Sequence, residues 1–139
     1  MTNTVTTVWQ ENMLFESDNP SGDSLFMDAP DEGIDNKGLR PKALMLSSLA
    51  GCSGLDVVSL LKKMRAEVDD FKIIVHGELT DEHPKYYHKV SVDYHFYGKD
   101  LKENKIKNAV DLSVEKYCGV MEMFRHFADV KTQIHYHNS

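Results

Sequence analysis

One segment limits the possible folds of this chain more than any other. Pro41 suits the first turn of a helix, where its missing N–H is not needed, and the helix predicted from it runs to about Val68. From Ala43 to Val58 that helix is apolar on almost every side, so it is expected to be buried all round. From Leu60 to Val68 it becomes amphipathic, with Lys62, Lys63, Arg65 and Glu67 facing water. A helix enclosed on all sides is more than a small monomer can cover. The segment therefore predicts a central helix shared with a second layer of structure and with a second subunit. Ser47, Ala50, Gly51 and Gly54 recur on it at helical spacing. Each glycine costs a helix ~1 kcal/mol relative to alanine, and close approach of another backbone is the expected compensation. Ser47, Ser48, Ser53, Asp56 and Ser59 interrupt the apolar run, making it a poor membrane span, which needs ~20 mostly apolar residues.

The rest of the chain supplies sheets and a second helical region. Thr4 to Trp9, Met13 to Glu16 and Ser24 to Asp28 read as three short strands, with a turn at Asp18-Asn19-Pro20-Ser21-Gly22. They predict an antiparallel meander, followed by an acidic surface loop from Asp28 to Gly38. After the helix, Phe71 to Leu79 and Tyr86 to Tyr97 alternate as strands. In the second of these, His88, Val90, Val92, Tyr94 and Phe96 share one side. Ile106, Val110, Val114, Tyr117, Met121 and Phe124 follow helical spacing, and Val130 to Tyr136 closes the chain as a strand. The whole, residues 1–139, is expected to be one α+β domain.

Composition excludes several functions. The chain carries 16 basic and 22 acidic residues, for a net charge of −6 with histidine neutral. That balance lacks the basic footprint of a nucleic-acid or anionic-membrane binder. Met1-Thr2-Asn3-Thr4 shows no basic region followed by an apolar one, so no signal peptide is visible. A cytoplasmic protein with neither nucleic-acid nor membrane partner is expected.

The chemistry-bearing residues are two cysteines, Cys52 and Cys118. In a reducing compartment a structural disulfide is not expected, and two cysteines alone cannot complete a tetrahedral zinc site. Either they pack as small hydrophobes or they react. Cys52 has Ser48 one turn before it and Asp56 one turn after, so its helix face is not simply core. Around Cys118, Gly119 fits either a continuous helix or a break that starts a new helix at the cysteine. With a break, the sulfur would meet unpaired N–H groups and the positive dipole end, which favour a thiolate. His76, His88, His95, His135 and His137 all fall on predicted strands; exposed or hydrogen-bonded histidines are the expectation there, with a metal site the minor alternative.

Two blocks carry a resemblance. Arg40-Pro41-Lys42-Ala43-Leu44-Met45-Leu46-Ser47-Ser48-Leu49-Ala50-Gly51-Cys52-Ser53-Gly54-Leu55-Asp56-Val57-Val58 and Asp111-Leu112-Ser113-Val114-Glu115-Lys116-Tyr117-Cys118-Gly119-Val120, in that order, resemble the two cysteine segments of the OsmC/Ohr family. The match is with its YhfA-like branch, whose members carry a similar Glu-Lys-Tyr-Cys block. The resemblance implies an OsmC-like fold, with antiparallel sheets around central cysteine-bearing helices in an intertwined homodimer. It further implies reduction of a small organic hydroperoxide at the subunit interface, with Cys52 the peroxidatic thiolate and Cys118 the resolving thiol. The family binds no cofactor and is recycled by external dithiols such as lipoylated proteins.

The chain also departs from the family's peroxidases, which use an arginine from the N-terminal region and a glutamate just after the helix-opening proline. Here no arginine precedes Arg40, and Lys42-Ala43 follow Pro41. Arg40 is the candidate activating cation. A non-catalytic OsmC-like protein, binding a small apolar ligand or a partner in the interface cleft, is the alternative.

Overall fold

A computed structural model describes all residues from 1 to 139, and their contacts gather into two compact units, 1–45 and 46–139. The first opens with the expected meander. Strands β1 (Thr7–Glu11), β2 (Leu14–Asp18) and β3 (Ser24–Met27) pair antiparallel in sequence order. Asn12, with φ of 46°, makes the first reversal and accepts the Trp9 indole N–H on its carbonyl at 2.8 Å. The acidic loop is anchored at both ends. Asp28 is buried, its Oδ2 accepts the Lys37 N–H at 3.0 Å, and Leu39 bridges back to Met27. A Cβ on Gly38 would stand 2.8 Å from the Phe26 carbonyl, so only glycine fits this return.

Helix α1 (Pro41–Met64) crosses from the first unit into the second. It stops four residues before the predicted end at Val68, through a C-terminal cap. Arg65 takes φ of 55°, its N–H donates to Lys62 O at 3.2 Å, and the Ala66 N–H donates to Leu61 O at 3.0 Å. These are the paired bonds of a Schellman motif, with arginine where glycine is usual.

In the second unit, β4 (Asp70–Leu79) and β5 (Tyr87–Gly98) form an antiparallel pair, as expected. The last strand, β6 (Asp129–Asn138), runs parallel to β5, so this sheet is mixed where antiparallel sheets are predicted. The cause is the connection. Helix α2 (Glu103–Leu112), a π turn (Ser113–Tyr117) and helix α3 (Gly119–Arg125) lie between the two strands and bring the chain back to the same end of the sheet.

The core of this unit is the inner face of β5 (Val90, Val92, Tyr94, Phe96) packed with residues of all three helices. From α1 come Leu49, Ser53, Val57 and Leu61, one per turn. Burial on every side of α1 is not what a single chain provides, since Leu55 is 76% exposed and Met45 and Val58 are also open to solvent. The small-residue stripe is divided in the same way. A Cβ on Gly54 would come within 3.3 Å of Ile73 Cδ1, a side chain and not a backbone, whereas Gly51 faces open space. By length and composition α1 would qualify as a membrane span; here its buried stripe lies on the sheet, with Ser53 bonded to Tyr94 of β5.

Candidate active site

Helix α1 and the π turn bring the two cysteines together. Cys52 is half-buried at the middle of α1, Cys118 is 3% exposed, and both are free thiols. They are neighbours, the Cys52 side chain acting on the Cys118 thiol.

Cys118 reaches this position through a local irregularity. Its N–H donates to Ser113 O at 2.8 Å, an i to i−5 bond that closes the π turn. π turns inside helices recur at functional sites because they displace the residues that follow. Cys118 then leaves the helix with extended backbone (φ −78°, ψ 102°) and caps α3, its Sγ accepting the Met121 N–H at 3.3 Å. The chain thus adopts the break of the two arrangements open at Gly119.

The electrostatics of Cys118 are decided by burial, which pushes its thiol up from 9.0 to about 11. The Met121 N–H acts in the opposite direction; the hydrogen bond and charge of Cys52, and then the Asp56 carboxylate, add to the rise. A single donated N–H does not offset withdrawal of the sulfur from water. Cys118 therefore remains a neutral thiol at neutral pH.

Three further residues at this place had no role in the sequence reading. Ser53 Oγ lies 2.7 Å from Tyr94 Oη and 2.8 Å from Ser113 Oγ, and Ser113 Oγ donates to Asp56 Oδ2 at 3.1 Å. Ser53, Tyr94 and Ser113 are fully buried. Burial also pushes the Tyr94 phenol up to about 12, against the opposing hydrogen bond from Ser53. One signal for them was present in the sequence. Ser53 occupies the Leu49–Val57 stripe and Ser113 follows Ile106, Ala109 and Val110 at helical spacing, so both are polar residues at core positions.

The remaining candidates have partners of their own. Arg40 belongs to the first unit, where its Nη1 donates to Asp28 O at 2.8 Å and Asn36 Oδ1 at 2.7 Å. On the outer face of β5 and β6, His95 stacks on His135 and His137, and His135 Nε2 lies 2.9 Å from Asp93 Oδ1. No group of three or more histidine, cysteine or acidic side chains is arranged to hold a metal ion. A groove of about 640 Å³ between the end of α1 and Phe71, lined by Val58, Lys62, Arg65 and Val68 among others, includes neither cysteine.

Known proteins share both the sequence pattern and the fold. Residues 34–133 match the family described as OsmC-like protein. Protein YhfA of Escherichia coli K12 is 35% identical over 115 residues, covering 83% of this chain and 84% of its own. Among solved structures, a hypothetical protein from Aquifex aeolicus VF5 superposes with a TM-score of 0.87 at 31% identity, over 100% of this chain and 98% of that one. The organic hydroperoxide resistance protein OhrB of Bacillus subtilis superposes with a TM-score of 0.64 at 21% identity, over 96% and 98% of the two chains. Two cysteine segments in matching order, a family match over most of the length and a shared α+β architecture lead to one conclusion: the chain belongs to the OsmC-like protein family.

Proposed function

We propose that this protein reduces organic hydroperoxides with Cys52 as the attacking thiol and Cys118 as the resolving one. The observation that carries the reading is the neighbouring pair of free thiols in unequal surroundings, one half-buried and one almost wholly buried. The organic hydroperoxide resistance protein among its structural neighbours supports the same reading.

The chemistry divides between the two sulfurs. The Cys52 thiolate attacks the outer oxygen of R–O–O–H; the O–O bond breaks, the alcohol ROH leaves after taking a proton, and Cys52 becomes a sulfenic acid. Cys118 then attacks the oxidised sulfur, forming an S–S bond as the S–O bond breaks and water departs. An external dithiol of the lipoyl type returns both cysteines to thiols and is itself oxidised to a disulfide. Arg40 enters this proposal as the activating cation, and its replacement by alanine slows the first step.

The working unit of the proposal is a homodimer. The uncovered apolar side of α1, with Leu55 and Val58, supports a second copy packed there. A competing reading, an OsmC-like protein that binds a small apolar ligand or a partner without chemistry, is favoured by one observation: burial and then the Asp56 carboxylate oppose ionisation of Cys118.

Thiol counting separates the two. With stoichiometric cumene hydroperoxide, both free thiols per chain are expected to disappear. Cys52→Ser should leave Cys118 unreacted, and Cys118→Ser should accumulate a sulfenic acid that a dimedone probe traps. Equal thiol counts before and after peroxide would establish the non-catalytic reading.

A further inference from the structure

The hydroxyl groups beside the cysteines form a hydrogen-bonded chain that ends on a carboxylate. As a carboxylate, Asp56 only accepts, and its Oδ2 at 3.1 Å is a shorter, charged acceptor for the single proton of Ser113 Oγ than the Ser53 carbonyl at 3.4 Å. Ser113 must then accept from Ser53 Oγ–H, and Ser53 in turn from Tyr94 Oη–H. No buried side-chain donor or acceptor is left without a partner in this arrangement. The chain crosses three elements, from β5 through α1 to the first residue of the π turn. Ser113 also supplies the carbonyl that holds the Cys118 N–H. The residue bound to Asp56 by its side chain is therefore bound to Cys118 by its backbone.

Asp56 stands one turn beyond Cys52 on α1, and its charge acts on Cys118. The titratable groups facing Cys118 are Cys52 and Asp56 from α1 and Tyr94 from β5. Burial keeps the Tyr94 phenol neutral. The negative charge of Asp56 thus bears on Cys118 without a neighbouring phenolate to share in it.

We propose that Asp56 is a positioning residue for the second-acting sulfur: through Ser113 it fixes the turn carrying Cys118, and its charge adds to the burial that keeps that thiol neutral. Within the proposed peroxide chemistry, on which this application of the inference rests, neutrality has a use. When Cys118 attacks the Cys52 sulfenic acid, the S–S bond forms, the S–O bond breaks, and the Cys118 proton leaves with the hydroxide as water. The organic hydroperoxide remains the only oxidant.

The test is the pH dependence of alkylation by iodoacetamide, followed at each cysteine by mass spectrometry. It needs no peroxide activity, so failure of the peroxide reading is seen separately in thiol counts. In the unaltered protein Cys52 is expected to alkylate before Cys118 at pH 8; the reverse order overturns the proposal without any variant. Asp56→Asn keeps an oxygen for Ser113 but removes the charge, and should lower the Cys118 midpoint. Asp56→Glu should return it toward its original value. Ser113→Ala, which keeps the charge and breaks the chain, should leave Cys118 the later thiol to react while slowing closure of the disulfide by diamide. An unchanged or raised Cys118 midpoint in Asp56→Asn, in protein whose circular dichroism matches the parent, rejects the assignment.

Discussion

At Cys118 two opposing effects meet on one atom, and their relative size decides the chemistry. A helix N-terminus favours a thiolate, yet here it contributes one N–H at 3.3 Å on a helix of 7 residues. Burial outweighs it, and the sulfur is held near 11. The local motif therefore suits a resolving thiol better than an attacking one. Arg65 shows a similar competition. Its φ of 55° satisfies the last carbonyls of α1, but a left-handed backbone costs a residue with a Cβ ~1–2 kcal/mol. Arg65→Gly is expected to stabilise the protein by about 0.5–1 kcal/mol, since glycine's greater unfolded-state freedom cancels part of that relief. Chemical denaturation would show this as a higher midpoint with an unchanged slope.

At the scale of elements, the same strand serves two environments. The inner face of β5 anchors the hydroxyl chain through Tyr94, while its outer face carries His95 into a stack with His135 and His137 of β6. Partial desolvation, then the charges of His135, His137 and Lys72, lower the His95 pKa below 6.5; Asp93 acts against them. The unfolded chain consequently takes up this proton at higher pH than the folded one. Stability from His95 is complete above the ordinary histidine pKa and is lost as pH falls through it toward the lowered value. Thermal unfolding between pH 7.5 and 5 should show a falling midpoint in the parent and a smaller fall in His95→Gln. Equal falls in the two proteins would remove His95 as the cause. Connections act at this scale too. The break at Cys118 follows from the π turn, whose extra residue puts Ser113 O under the Cys118 N–H.

For the whole molecule, the decisive feature is the side of α1 that its own chain does not cover. Leu55 is 76% exposed, with Val58 and Met45 also open, an arrangement that water alone disfavours by ~25 cal/mol per Å² of apolar surface. The protein is expected to sediment as a dimer. Leu55→Glu should weaken association by roughly 2–3 kcal/mol, because it would bury a carboxylate among apolar groups, and a monomeric parent would refute the homodimer. Much of this architecture was legible in the residues themselves. Periodicity placed the meander, α1 and strands β4 and β5, because alternation and helical spacing are properties of neighbours along the chain. The two cysteine blocks gave the family through resemblance, and the excess of apolar residues on α1 reappears as its exposed side with Leu55 and Val58. Three things depended on tertiary structure: the parallel course of β6, the π turn that seats Cys118 against Cys52, and the chain from Tyr94 through Ser53 and Ser113 to Asp56. Each is a relation between residues remote in sequence, set by how the sheet and helices pack. A lone serine on an apolar stripe carries its polarity in the sequence, but its hydrogen-bond partner exists only once the chain has folded.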